Sequence, residues 1–205
     1  EFLDIVLVQL VRYFGKLVKD YVTMKAEEAQ AAQAQPNAQA QPQPHQPKNK
    51  VDIASLLVVI QMLTSKVAVL NIEQRKNFYV TLQHLAEKAS DEALLIELVN
   101  YIGMLMNNAE IAMDCRDKIA FIQKMKKFEK VRSLPLHKQF LELVFYVYKE
   151  VIEKLPDASA SLEPVFMIGL CSRYPAIRAK FFDIFSSRFK DGIFQVLHTL
   201  LTITT

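Results

Sequence analysis

Tyr174-Pro175-Ala176-Ile177-Arg178-Ala179-Lys180-Phe181-Phe182 is the stretch whose reading decides the fold. A proline in the first turn of a helix gives up an N–H that would have no partner there, and its fixed φ already suits the helix. An aliphatic residue and an arginine then sit side by side, with apolar residues one turn later. Arginine suits such a position because its planar fork donates several hydrogen bonds while its stem packs. Pro164 opens a helix near 163–171 in the same way, and Pro175 one over about 175–189.

Working outward, the helices come in pairs. Asp52 is placed to cap a helix running to about Leu70, and Asn71 with Gln74 three residues on forms a capping-box pattern for a second, to about Ala89. Ser90 is expected to cap a third, to about Met106, and Asp114 with Asp117 to start a fourth, to about Val131. Leu134-Pro135 is expected to break the chain before a long apolar helix over about 137–154, which Pro156 ends. A last helix is expected from about Asp191.

Successive pairs therefore start near 52, 91, 136 and 175, a spacing of roughly 39–45 residues. That is the period of HEAT or armadillo repeats, whose helix pairs bury their apolar stripes only by stacking on neighbours. The expected fold class is all-α, an α-solenoid of antiparallel helix pairs, with a compact bundle as the competing architecture. Pro164, Pro175, Ile177 and Arg178 are the repeat signature: Ile177 is expected in the core and Arg178 on a carboxylate or carbonyl of a neighbouring repeat. The alternative for Arg178 is a ligand contact.

Upstream, Glu1, Asp4, Gln9, Arg12, Lys16 and Lys19 recur at helical spacing among Leu, Ile, Val and Phe. Residues 1–25 thus read as an amphipathic helix of a preceding repeat. Residues 26–50 contain seven Ala, seven Gln and four Pro. No apolar face is possible there, so the segment reads as an exposed disordered linker, with a glutamine-rich activation segment as the alternative. Residues 51–205 hold about four HEAT-like pairs. The chain opens on Glu1-Phe2 and closes inside an apolar run, which reads as a piece of a longer array.

Composition agrees with a helical body. Of 205 residues 51% are hydrophobic and 23% charged, with four glycines and no tryptophan. So few glycines disfavour β folds, whose tight turns need positive φ, and leave nothing to build a phosphate-binding loop. The formal charge of +3 is too mild to mark a nucleic-acid binder. No secretory leader is recognisable, and the longest apolar stretches fall short of the roughly 20 residues a membrane span needs. Cys115 and Cys171 read as free, buried thiols, a disulfide being the lesser reading.

The residue pattern offers no chemistry. His45, His84, His137 and His198 are scattered, so no metal or cofactor is expected. No serine sits in a nucleophile elbow, and Glu27-Glu28 and Asp91-Glu92 do not resemble a shielded acid–base couple. One charged feature remains: Arg116 to Arg132 carries seven basic residues against Asp117 and Glu129. Lys126, Lys127, Lys130 and Arg132 are the candidate partner-binding basic face, expected on a helix opposite Ile119, Ile122 and Met125. An acidic partner segment or a nucleic-acid phosphate is the functional reading and a solvated helix end the plain one. Small-molecule substrate, membrane and direct nucleic-acid binding are not expected.

Four stretches carry a family resemblance: 162–170, from Leu162-Glu163-Pro164; 177–185, from Ile177-Arg178-Ala179-Lys180-Phe181-Phe182; 69–78, through Asn71-Ile72-Glu73-Gln74; and 139–148. Together they resemble a kinase-dead member of the phosphatidylinositol-3-kinase-related kinase family, in the HEAT-repeat region ahead of its FAT domain. The resemblance covers 51–205 well, 1–25 loosely, and 26–50 only as a low-complexity break. It implies a nuclear, non-catalytic scaffold in histone acetyltransferase co-activator complexes. Its implied partners are transcription activators and complex subunits. The alternatives are a helical segment of an active kinase of that superfamily, or a carrier-type repeat protein.

Overall fold

The structure is a computed structural model that describes residues 2–33, 51–108, 110–111, 113–130, 133–188 and 202. Among these there are eight α-helices and no strand, so the fold is all-α. The helices are α1 (Phe2–Gln33), α2 (Ile53–Ser65), α3 (Ile72–Lys88), α4 (Glu92–Met106), α5 (Cys115–Lys124), α6 (Leu134–Lys154), α7 (Glu163–Leu170) and α8 (Pro175–Arg188). None of them is long and apolar enough to cross a membrane. Short 3-10 turns, Val67–Val69, Lys126–Lys130 and Pro156–Leu162, follow α2, α5 and α6.

Several helix starts follow from their caps. Asp52 accepts from the N–H groups of Ala54 and Ser55, and these bonds, that of Ala54 foremost, hold its carboxyl below the usual range. At α3 the Asn71 side chain accepts from Gln74 N at 2.8 Å, while Gln74 Oε1 accepts from Asn71 N at 3.1 Å. Asp114 accepts from Arg116 N.

Elsewhere the boundaries differ from expectation, each for a local reason. α1 runs to Gln33, eight residues beyond 25, because Ala, Glu and Gln are good helix formers and the first proline is Pro36. The rest of the expected linker, 34–50, lies outside the described residues, as does the helix expected from Asp191. Asp91, not Ser90, is the N-cap of α4, and its side chain makes no capping bond. Leu134-Pro135 does not break the chain: Pro135 sits within the first turn of α6, where a missing N–H is harmless. α5 stops at Lys124 rather than near Val131. Cys115 is buried but Cys171 is exposed, and both are free.

The chain divides into two compact units, Glu1–Met113 and Asp114–Thr205, so α4 and α5, expected as a pair, fall in different units. In the first unit α1 packs on α2 and α3, and α2 on α4. Helices two places apart in sequence are thus neighbours, the stacking relation of helical repeats. α1 buries Leu7, Val11, Phe14, Val18 and Tyr21, spaced four and three apart. Phe14 meets Phe78 of α3 edge-on at 5.6 Å between ring centres.

A polar clamp closes the same interface. Tyr21 Oη donates to Asp91 Oδ2 at 2.5 Å and accepts from Ser90 N, while Lys25 Nζ lies 3.3 Å from Asp91 Oδ1. Asp91 is therefore spent on α1 rather than on capping its own helix. Burial, then the bond to Asp91, pushes the Tyr21 phenol up. Hydrogen bonding to Glu28, with Asp91 assisting, raises Lys25.

In the second unit α6 is central, packing on α5, α7, α8 and both neighbouring 3-10 turns. Its core is a chain of rings: Phe128 against Phe140, Tyr148 stacked on Phe166 at 4.1 Å, and Phe181 against Phe166 and Phe145. Tyr148 Oη also donates to Glu163 Oε1, tying α6 to the start of α7. Gly169 lets α7 approach α8: a Cβ there would lie 2.3 Å from the Phe181 ring.

Candidate partner-binding surface

The signature residues occupy the α7–α8 corner. Pro164 and Pro175 lie in the first turns of α7 and α8, both exposed, and Ile177 is 2% exposed in the core. Arg178 departs from expectation. It is an exposed residue whose Nη1 donates at 2.7 Å to the carbonyl of Ser172, six residues upstream in the turn leading into its own helix. Its partner is thus local, not in a neighbouring repeat. Arg75, the fourth residue of α3 as Arg178 is of α8, does the same through Nη2 to Leu70 O at 3.0 Å. Both arginines satisfy a carbonyl in the bend before a helix, which neutral side chains of that reach could not do so strongly.

The basic stretch is divided by the fold. Lys118 leaves the surface: it is 4% exposed, and its Nζ lies 2.5 Å from Glu150 Oε2 on α6. Glu150 Oε1 accepts from Lys154 at 2.7 Å, and the Lys118 ammonium stands 5.6 Å from the centre of the Tyr146 ring. Burial by itself pushes the Glu150 carboxyl up, but the hydrogen bonds and charges of Lys118 and Lys154 outweigh it and hold the group below its ordinary range. The sequence did carry a signal: Lys118 shares the buried face of α5 with Cys115, Ile119 and Ile122. A lysine on an apolar stripe needs a carboxylate opposite.

Lys126, Lys127 and Lys130 do not lie on an α-helix. α5 ends, Met125 caps it, and Lys126–Lys130 continues as a 3-10 turn, where residues three apart rather than four share a side. Met125 is buried, and buried Phe128 anchors the turn on Phe140 of α6. Lys126 is exposed; Lys127 is half-buried, 5.9 Å from the centre of the Phe128 ring. The side chain of Lys130 and the whole of Arg132 lie outside the described residues.

No grouping of three or more His, Cys, Asp or Glu among the described residues could hold a metal ion. The polar contacts among the described residues include the Lys118–Glu150 ion pair and the arginine bonds that hold two turns.

The sequence matches, over residues 1–204, the family described as Tra1 HEAT repeat ring region. It is 33% identical over 151 residues to the mouse transformation/transcription domain-associated protein, covering 69% of this chain and 6% of that protein. The human protein of the same name is 32% identical, covering 69% of this chain and 4% of its own length. A fission-yeast protein, SAGA complex/NuA4 acetyltransferase complex subunit Tra1, is 25% identical over the whole of this chain and 5% of its own. The chain thus spans 4–6% of the length of the curated relatives it matches. No solved structure matches it.

Proposed function

The chain belongs to the Tra1 HEAT repeat ring family, and from that premise we propose that it is a scaffold segment of a transcription co-activator in a histone acetyltransferase complex. The observation that supports this most is a family match along residues 1–204 joined to an all-α fold of stacked helices. In this reading the segment is non-catalytic and nuclear and binds proteins: subunits of the acetyltransferase complex and transcription activators. Pro164, Pro175, Ile177 and Arg178 serve the repeat, the prolines setting where helices begin and Arg178 fixing the turn between them. Lys126, Lys127, Lys130 and Arg132 are the basic face offered to a partner.

The mechanism is mechanical. In a helical-repeat array each helix pair rests on the next, so small rotations add up along it and place distant surfaces at set separations. The test is to tag the full-length protein in its own cells and identify what co-purifies from nuclear extract. Acetyltransferase subunits in stoichiometric amounts are expected. Their absence, or magnesium-dependent protein kinase activity of the purified full-length chain, would overturn the reading in favour of an active kinase of the same superfamily.

A further inference from the structure

Tyr174 sits at a corner of the second unit where a ring and several cations come together. Its Oη donates to the carbonyl of Leu134 at 2.8 Å, which pins the turn before α8 to the start of α6. Its own N–H donates to Ser172 Oγ at 3.2 Å, and Arg178 Nη1 donates to Ser172 O at 2.7 Å. The half-buried ring is thus held at both ends, with Arg173 beside it in the chain and the Arg178 guanidinium folded back on the same turn. Beyond the turn α8 stays against α6. Phe181 meets Phe145 edge-on at 5.6 Å, and the Lys180 ammonium stands 5.8 Å from the centre of the Phe145 ring. From Leu134 to Phe145 α6 rises about 16 Å, and Lys138 stands between them, one turn beyond Leu134 on the same side.

The cations here are unlike the others in the fold. Lys25, Lys118 and Lys154 each meet a carboxylate; among the described residues Lys138, Arg173, Arg178 and Lys180 meet none, and all four are exposed. Over 134–145 and 173–182 together the sequence has these four Lys and Arg and one acidic residue, Glu142. The formal charge of +3 conceals the cluster, because a sum over the chain does not record where charge stands unpaired. Such a cluster attracts anions of any class, and the flat surfaces decide among them. Tyr174 offers a ring, and Arg173 and Arg178 offer guanidinium planes; these are the surfaces on which unpaired bases stack. In a duplex the base faces are already covered, so the corner suits a few nucleotides of single strand.

We propose that the corner formed by Lys138, Arg173, Tyr174, Arg178 and Lys180 binds single-stranded nucleic acid without reading its sequence, phosphates lying on the cations and a base on Tyr174. This goes beyond the scaffold reading and does not depend on it.

The test uses the full-length protein with oligouridylate and oligothymidylate probes of about twelve nucleotides, each carrying one 5-iodo base. Photo-crosslinks are expected in the peptide holding Tyr174, and the comparison of the two probes tells which sugar is preferred. The variant Lys138→Ala, Arg173→Ala, Lys180→Ala removes three cations and leaves the ring. It should lower the crosslink yield at Tyr174 by about tenfold at low salt and flatten the dependence of log affinity on log salt by about 2. Hydrogen exchange in α6 and α8 checks that the variant is folded, and the three single variants decide if it is not. Crosslinks confined to other parts of the chain, an unchanged yield in the folded variants, or equal competition by a duplex of the same length would each overturn the proposal. Full displacement by a polyglutamate peptide would overturn it in favour of an acidic protein partner.

Discussion

Lys118 and Glu150 meet at 2.5 Å between α5 and α6, and the lysine is almost wholly buried. A buried cation depends on its counter-charge far more than the counter-charge depends on it, because Glu150 also holds Lys154. Glu150→Gln should therefore cost about 3 kcal/mol, whereas Lys118→Met, which keeps the volume and removes the charge, should cost less than half of that. Thermal unfolding of the chain checks the order of the two; equal losses would mean that the pair is solvated.

The same carboxylate makes the second unit sensitive to acid. Its folded pKa lies below the unfolded one, so its contribution is complete above the ordinary carboxylate range and is lost as pH falls through the folded value. Stability measured from neutral pH down to strong acid should fall in wild type and fall less steeply in Glu150→Gln.

Tyr21→Phe removes the phenol that α1 shares with Asp91 and Ser90, and should cost about 1–2 kcal/mol. Because the phenol is raised in the folded chain, the stability it supplies is present below about 10 and disappears as pH climbs past the folded value. Faster amide exchange along α1, with α3 unchanged, is the signature.

Gly169→Ala would place a methyl 2.3 Å from the Phe181 ring, which is fully buried and has nowhere to turn. A loss of about 2–3 kcal/mol is expected, with recovery on adding Phe181→Leu. An additive double variant would show that the two side chains do not compete for space.

Arg178→Ala and Arg75→Ala should each cost only about 1–2 kcal/mol, because neither guanidinium is fully buried and each satisfies one carbonyl of a turn. Losses well beyond that would mean that the arginines bridge to other parts of the array. Melting curves of the two variants make the comparison.

What could be read in the sequence was whatever is local. The Asn71–Gln74 box and the Asp52 and Asp114 caps lie within three residues of their partners, and they are present as the spacing suggests. Ser90 is not the cap of α4: Asp91 holds that position, with its side chain turned towards Tyr21, 70 residues earlier in the chain. The end of α5 at Lys124 has a similar cause. Helical spacing continues smoothly through Lys126, but Phe128 packs on Phe140 of α6, and tertiary contact overrides propensity there. The candidate surface shows both limits. Lys126 and Lys127 stand out as a charge run, while Lys118 of the same run leaves it for Glu150, 32 residues away on α6.

The clamp between Tyr21 and Asp91 also sets an order of events at the ribosome. α1 is made first, yet its seat is incomplete until Phe78 and Asp91 have followed, the latter after 70 more residues. At ordinary rates of synthesis that delay is on the order of ten seconds, in which the Tyr21 phenol lacks the carboxylate that it holds in the folded unit. The helix that opens this segment is thus fixed by residues made well after it, and its clamp closes only once α4 has begun.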